Sequence, residues 1–197
     1  MKKGNRRRRK NKRRAIKRLT RILVVIFLLL CLCLCLCLLL RKGNPSEEGI
    51  EYLKNGQYEE AIKQFEQAVE DEVNVGDAYR GIGIARWETE NYEGARDAFQ
   101  KALDADTESP FTGIIYNFLG SCELKLGNPE SAQNYFQLGI GLKGNSAKLD
   151  QEMKYNQIVA FEQLGDWESA KARLAEYVAE YPEDANALKE QQFLETR

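Results

Sequence analysis

The heptapeptide Asn55-Gly56-Gln57-Tyr58-Glu59-Glu60-Ala61 is the first of four related segments in a chain of 197 residues. The other three are Glu90-Asn91-Tyr92-Glu93-Gly94-Ala95, Gly127-Asn128-Pro129-Glu130-Ser131-Ala132 and Gly165-Asp166-Trp167-Glu168-Ser169-Ala170. Their final alanines follow one another at intervals of 34, 37 and 38 residues. A repeat of about this length is typical of stacked helical hairpins, which share a continuous core and usually bind partners rather than catalyse reactions.

Each segment joins two stretches in which apolar residues recur with the period of a helix, so each copy is predicted to be a helix, a short turn and a second helix. Asn128 and Asp166 are placed to cap the second helix, and Pro129 suits its first position. The second copy has Glu90-Asn91 and no glycine, so we expect Asn91 to cap the second helix and the turn to be looser. In the other copies a glycine can end the first helix in the left-handed conformation: Gly56, Gly127 and Gly165.

Small side chains recur where the two helices of a hairpin are expected to cross closely. Ile158 holds a position in the fourth copy that is glycine in the first three copies, at Gly49, Gly83 and Gly120. Glycine within a helix is less favourable than alanine by about 1 kcal/mol, so these positions need a close-packing reason. The seam of the second helices is predicted to be filled by Phe65, Phe99, Phe136 and Leu174.

These features resemble the tetratricopeptide repeat family. The resemblance is carried by the glycine and alanine twelve residues apart, by the aromatic residue after the turn and by paired positions in the second helix: Tyr58, Tyr92, Trp167, Phe65/Ala68, Phe99/Ala102 and Phe136/Gly139. Pro182 closes the fourth copy, and the resemblance covers about residues 45–182. Departures from the family pattern indicate degenerate repeats and occur at Glu90, Pro129, Gly139, Ile158 and Tyr177.

The resemblance implies an all-α protein, a right-handed α-solenoid of about four helical hairpins over residues 46–182. The approximate repeats are 46–75, 76–109, 110–145 and 146–182. Residues 183–197 are expected to form one capping helix, with Asp184 as its N-cap, because a terminal repeat leaves an apolar face that must be covered.

The region before the repeats has a different chemistry. Residues 1–21 carry thirteen Lys and Arg and no acidic residue, whereas residues 22–40 are nineteen apolar residues without a charge. A helix of nineteen residues is roughly 28 Å long, close to the thickness of the bilayer hydrocarbon. We therefore predict a transmembrane helix at 22–40 and a linker at 41–45. A cleaved signal peptide is the alternative, but it would have a shorter apolar core followed by small residues.

The flanking charges predict the orientation of this single-pass membrane protein. The positive-inside rule places residues 1–21 in the cytoplasm as a basic tail and the repeats on the extracytoplasmic side, in a bacterium across the cell membrane. The tail is expected to contact anionic lipid. A nucleic-acid-binding arm is the alternative, although no aromatic residue is interleaved for base stacking, so a nucleic acid partner is not expected. From Gly43 onward, fourteen basic residues face thirty acidic residues.

The cysteines can be interpreted either as packing residues or as chemically reactive ones. Four of them, at 31, 33, 35 and 37, alternate with leucine inside the apolar segment, which suits apolar filler better than a metal site. Lipidation is the alternative, but a small residue does not precede any of them. Cys122 is the only cysteine after the segment, and packing inside a helix is favoured over a reactive role.

The composition argues against catalysis. The chain contains no histidine, which removes the most common general base and metal ligand. No glycine-rich phosphate loop is present, and the many adjacent carboxylates suit a solvated surface. We predict that the protein is not an enzyme and has no cofactor, no catalytic residue and no metal site.

Members of the tetratricopeptide repeat family bind partners on the concave face, which the first helices of the hairpins line. By resemblance, the predicted partner-binding residues are Arg80, Ile84, Trp87, Asn117, Lys125 and Tyr155. Arg80 and Asn117 match positions of a carboxylate clamp, but Ile84 and Ser121 replace its usual asparagine, so binding of a chaperone tail is not predicted. Trp87 is expected either to anchor a partner or to pack between hairpins.

The predicted function is that of a membrane-anchored scaffold for protein–protein interactions, an assembly or adaptor factor at the cell envelope that binds a protein or peptide ligand. An accessory or regulatory subunit of a membrane-associated enzyme or secretion complex is the alternative.

Overall fold

The computed structural model describes residues 44–106 and 109–196. These two ranges contain nine α-helices and no β-strand. The helices are α1 (Pro45–Lys54), α2 (Tyr58–Glu70), α3 (Val75–Glu88), α4 (Tyr92–Ala105), α5 (Thr112–Lys125), α6 (Pro129–Gly139), α7 (Ala147–Leu164), α8 (Trp167–Glu180) and α9 (Ala185–Leu194).

Each helix packs against the next one along the chain, and the pairs α1–α2, α3–α4, α5–α6 and α7–α8 are hairpins with turns of two or three residues. The first helices of neighbouring hairpins also touch, α1 against α3 and α5 against α7. Helix α9 packs against α8 through Ala187 and Leu194, which are buried with Leu174 in one cluster. The expectation of an all-α helical solenoid is confirmed.

The predicted basic tail, the predicted transmembrane helix at 22–40 and residues 41–43 of the predicted linker lie outside the described residues. Within the described ranges, no helix combines the length and the apolar character that crossing a membrane requires. Helix α1 begins at Pro45, the last residue of the predicted linker, because Asn44 caps the helix by accepting a hydrogen bond from the backbone N–H of Ser46.

The turns inside the hairpins follow the predicted chemistry with one correction. Gly56, Gly127 and Gly165 have φ values of 71°, 78° and 71°, as expected for helix-ending glycines. Glu90 takes the same conformation with φ of 60°. Its N–H donates to the Trp87 carbonyl at 2.9 Å, so the prediction of a looser turn is wrong. This hydrogen bond forms because the packing of α3 against α4 fixes the turn, although a positive φ is sterically strained for glutamate.

Replacing Glu90 by glycine is expected to stabilise the protein by about 1 kcal/mol, because glycine takes a positive φ without the steric strain of a side chain. Thermal unfolding followed by circular dichroism should show a midpoint about 2–4 °C higher. Glu60→Gly is the matched control, since Glu60 is also exposed but lies inside α2, where glycine is expected to lower stability. Equal destabilisation by both substitutions would contradict the strain at Glu90.

The predicted caps are confirmed at three helices and wrong at one. The side chains of Asn91, Asp166 and Asp184 accept hydrogen bonds from backbone N–H groups in the first turns of α4, α8 and α9. Asn128 does not cap α6, because its amide nitrogen instead donates to the buried carboxylate of Glu123 at 2.8 Å. Asn128 therefore donates a hydrogen bond to a buried carboxylate of α5, which also lies 4.0 Å from Nε of Arg96, and both contacts offset the cost of burying its charge.

The close-packing reason for the glycines is a phenylalanine ring on the partner helix. A Cβ atom added at Gly83 would lie 2.7 Å from the Phe99 ring, and one at Gly120 would lie 2.5 Å from the Phe136 ring. Gly49 meets Phe65 in the same way, also at 2.7 Å. The missing side chain of each glycine thus makes the space that the ring fills. The alanines after these three turns are fully buried in the same clusters as the rings: Ala61, Ala95 and Ala132.

Candidate partner-binding face

All six residues predicted to bind a partner lie on the first helices of hairpins. Arg80, Ile84 and Trp87 belong to α3, Asn117 and Lys125 to α5, and Tyr155 to α7. The first helices of the four hairpins, α1, α3, α5 and α7, border three hollows that follow one another along the protein. We call the surface that these helices form in and between the hollows the first-helix face. The repeat register explains this placement, because equivalent positions in successive hairpins point in the same direction.

The first hollow, the apolar hollow, lies between α1 and α3 and has a volume of about 410 Å³. Its apolar lining includes Leu53, Phe65 and Ile84, together with Ile50, which is 46% exposed. Ser46 also lines it, although its side-chain oxygen is buried and has no hydrogen-bond partner among the described residues. The hollow thus combines exposed apolar surface with an unused hydroxyl group.

Arg80 marks the boundary between this hollow and the next. Its Nε and Nη2 atoms both donate to Oδ1 of Asp77, at 3.2 and 2.9 Å. The guanidinium lies 4.1 Å from the centroid of the Phe111 ring, a cation–π contact across the gap from α3 to the start of α5. Because both contacts hold the side chain in place, Arg80 is a fixed wall of the apolar hollow.

The middle hollow lies between the N-terminal ends of α5 and α7 and has a volume of about 450 Å³. Its wall is apolar at Phe111, Ile114 and Leu149, and it carries Lys148 and Glu152 at the α7 side. Since Phe111 also touches Arg80, the middle hollow continues the apolar hollow along the same face.

Asn117 joins α5 to α7 under this surface. It is buried, its amide nitrogen donates to Oε1 of Glu152 at 2.9 Å, and its amide oxygen accepts from Asn156 at 3.4 Å. These bonds use the groups that a ligand would need, so Asn117 positions Glu152 and Asn156 rather than presenting a free amide. Asn117 lies on α5 as predicted but lines none of the three hollows, and sequence reasoning did not find its two partners.

The polar hollow lies between α7 and the start of α9, has a volume of about 310 Å³ and shares Lys148 and Glu152 with the middle hollow. Tyr155 lines it, with its ring 5.6 Å from the Tyr177 ring in an edge contact. The Tyr177 hydroxyl donates to Oδ2 of Asp184 at 2.8 Å. Burial and this contact with the carboxylate raise the pKa of Tyr177 to about 12, so the hydroxyl stays a donor at neutral pH.

Two carboxyl groups face each other at the far end of this face, Glu162 of α7 and Glu190 of α9. Burial, followed by the negative charge of Glu190, raises the pKa of Glu162. Oε1 of Glu162 is buried and receives no hydrogen bond from any described residue. Two ionised carboxylates are both acceptors, so Glu162 and Glu190 can form a hydrogen bond only when one of them is protonated. The negative charges of Glu190, Glu162 and Asp184 also act on Tyr155 and raise its pKa, after the larger effect of burial.

Replacing Glu162 by glutamine is expected to stabilise the protein at pH 7 by about 0.5 kcal/mol, a small value because the pair is partly screened by solvent. The pKa of Glu162 is higher in the folded than in the unfolded state. Its favourable contribution to the free energy of unfolding is therefore complete at low pH and is lost as the pH rises through the folded-state pKa. Urea unfolding at pH 4 and pH 7 should show the gain only at pH 7. The same gain at both values would contradict the repulsion.

Trp87 and Lys125 do not line any of the three hollows. The Trp87 ring makes edge contacts with Tyr92 and Phe118, at centroid distances of 5.1 and 5.7 Å, and therefore packs between neighbouring hairpins. The Nζ atom of Lys125 lies 5.9 Å from the centroid of the same Tyr92 ring. The predicted partner contact of these two residues stays a prediction.

Cys122 is fully buried in α5 among apolar side chains. Burial, followed by the negative charge of Glu123, raises the pKa of its thiol to about 12. The thiol is therefore protonated at neutral pH, which makes it a poor nucleophile and favours the packing role.

Sequence reasoning missed Ser46 and Phe111 as residues of this face. Ser46 lies 34 residues before Arg80, at the same repeat position as Arg80, Asn117 and Tyr155, so the register itself could have identified it. Phe111 precedes α5 as its N-cap residue, and its contact with Arg80 depends on how two hairpins stack, for which the sequence has no local signal.

Comparisons with known proteins place these features in context. The sequence matches a tetratricopeptide repeat family model over residues 46–110 and again over residues 87–147, and a second tetratricopeptide repeat model over residues 153–184. In a comparison with curated protein sequences, no significant match was found.

Solved structures with the same fold include YrrB, described as a TPR protein with an unusual peptide-binding site. It is 25% identical, with coverage of 76% of this chain and 74% of YrrB, and the TM-score is 0.65. A MamA structure from Desulfovibrio magneticus RS-1 is 19% identical, with coverage of 79% of this chain and 86% of that chain and a TM-score of 0.67. A MamA double mutant is also 19% identical, covers 79% of this chain and 85% of its own, and has a TM-score of 0.68.

Proposed function

Because this chain belongs to the tetratricopeptide repeat family, we propose that it is a non-catalytic scaffold that binds a protein or peptide partner on its first-helix face. The observation that carries the proposal is the apolar hollow between α1 and α3. A hollow of about 410 Å³ that exposes Ile50 beside Leu53 and Ile84 is suited to bury apolar side chains of a partner. The peptide-binding site reported for YrrB supports a peptide or an extended protein segment as the ligand.

We further propose that residues 22–40 anchor the scaffold in a membrane and that it serves as an assembly or adaptor factor at the cell envelope. The support is the uncharged apolar segment of nineteen residues, preceded by thirteen basic residues that would contact anionic lipid. In this arrangement the repeats lie on the extracytoplasmic side, and the anchor keeps their partner close to the membrane.

The binding proposal is tested by affinity capture from detergent-solubilised membranes with the full chain, followed by mass spectrometry. Ile50→Glu places a charge in the apolar hollow at an exposed position, so it should abolish capture without unfolding α1. Leu138→Glu is the matched control, because Leu138 is 54% exposed on α6 and lines none of the three hollows. Capture of the same proteins by the wild type and by Ile50→Glu would refute a binding role for the apolar hollow.

The membrane proposal needs a separate measurement. A reporter enzyme that works only outside the cytoplasm should show activity when it is fused after Arg197. The protein should also resist extraction from membranes by alkaline carbonate. Extraction by carbonate would argue against the anchor, whereas a cytoplasmically active fusion would reverse the proposed orientation.

A further inference from the structure

We infer that the partner segment is extended and carries a bulky apolar side chain at one end and a lysine or arginine about seven to nine residues away. The inference rests on the proposed binding role of the first-helix face and specifies the ligand of that face. The apolar side chain enters the apolar hollow, and the basic side chain reaches the polar hollow and the carboxylates beside it.

The apolar end is set by two independent observations. The first is the exposed apolar lining of the hollow, with Ile50 nearly half exposed between Leu53 and Ile84. The second is Ser46, which lines the same hollow, is 5% exposed and has a side-chain oxygen without a partner among the described residues. A buried hydroxyl without a partner is unfavourable, so a ligand that brings a peptide N–H or carbonyl next to the apolar side chain would satisfy it.

The basic end is set by charge complementarity. Glu152 and Asp184 line the polar hollow, and Glu162 and Glu190 lie close enough to act electrostatically on Tyr155, whereas Lys148 is the one basic residue among the described residues of the lining. A lysine or arginine from the ligand in the polar hollow would be attracted by these carboxylates and would offset the repulsion between Glu162 and Glu190.

The apolar hollow, at the other end of the face, does not offer the same excess of negative charge. The lining of the apolar hollow carries Lys54 and Arg80 against Glu47 and Asp77, and Asp77 already holds Arg80 in an ion pair at 2.9 Å. The charges in that lining therefore balance, whereas the lining of the polar hollow carries Glu152 and Asp184 against Lys148. A basic side chain of the ligand is therefore favoured at the polar hollow, which sets the direction in which a segment lies.

The separation follows from the stacking of the helices. The apolar hollow lies between α1 and α3, and the polar hollow lies between α7 and α9, three helix spacings farther along. Packed helices are about 8–10 Å apart, so the two hollows are separated by roughly 24–30 Å. An extended chain covers about 3.3–3.6 Å per residue, which gives about seven to nine residues between the two side chains.

The test uses the full chain in detergent as the target for a library of random displayed 16-residue peptides, sequenced after selection. Three variants are selected in parallel: Ile50→Glu, the double variant Glu162→Gln/Glu190→Gln, and Leu138→Glu as the control outside the face. The glutamine variants retain the shape of the side chains and remove only the charge, and circular dichroism of each variant checks that the helices are retained.

We expect peptides enriched on the wild type to pair an apolar residue with a lysine or arginine at the stated spacing. The Glu162→Gln/Glu190→Gln variant should lower the enrichment of the basic residue roughly tenfold and leave the apolar residue enriched. Peptides that require Ile50 but show no preference for a basic residue would overturn this inference and leave the proposed function intact. Failure of the wild type to enrich any peptide, or equal enrichment on Ile50→Glu, would overturn both.

Discussion

Replacing Phe99 by alanine is expected to lower the free energy of unfolding by about 3–5 kcal/mol, the range for a large aromatic side chain deleted from a packed core. The Phe99 ring is fully buried, stacks on Phe118 with centroids 4.8 Å apart and fills the space that Gly83 leaves open. It therefore joins its own hairpin to the next one. Since neighbouring repeats stabilise each other mainly through such interfaces, the loss should spread to both hairpins.

The measurement for Phe99→Ala is urea unfolding of the full chain in detergent, followed by circular dichroism. Leu138→Ala is the control, because it also truncates a large apolar side chain, yet Leu138 is 54% exposed and little stability should be lost. A loss below about 1.5 kcal/mol for Phe99→Ala would mean that the core closes around the cavity, contrary to the tight packing seen at Gly83.

Gly120→Ile is expected to destabilise the third hairpin by about 3 kcal/mol, because a Cβ atom there would lie 2.5 Å from the Phe136 ring and that ring is fully buried. The fourth hairpin shows how such a change can be accommodated. It carries Ile158 and Leu174 at the two equivalent positions, and both are buried in one cluster. A branched residue on the first helix thus goes together with a smaller side chain on the second.

The double variant Gly120→Ile/Phe136→Leu should therefore recover part of the stability that Gly120→Ile loses. A double-mutant cycle in urea is expected to give a favourable coupling energy of about 1–2 kcal/mol between the two positions. Purely additive effects would show that the glycine and the ring do not determine each other, and that the fourth hairpin differs for another reason.

The repeat register and the local chemistry of the turns could be predicted from the sequence because both depend on residues close together in the chain. The positive φ values of Gly56, Gly127 and Gly165 are a property of glycine at the end of a helix. The turn at Glu90 was predicted incorrectly for the same reason, since local preference argues against glutamate there and only the packing of α3 against α4 holds it in place.

The candidate site was predictable to a smaller extent. The register placed Arg80, Asn117 and Tyr155 on one face, but the partners of these side chains come from other hairpins. Arg80 meets Phe111, and Asn117 meets Glu152, a residue 35 positions away in the sequence. Such contacts depend on the angle and distance at which hairpins stack, for which a single sequence has no periodic signal.

By itself, the sequence determined that this chain is a stack of helical hairpins, where its turns lie and which residues recur at each crossing, because period, capping and side-chain size act over a few residues. Only the tertiary structure decided that each glycine makes room for a phenylalanine, that Asn128 pairs Glu123 instead of capping a helix, and that three hollows adjoin along one face. These features arise between helices that are distant in the chain, and their energies depend on distances that form only when the hairpins pack.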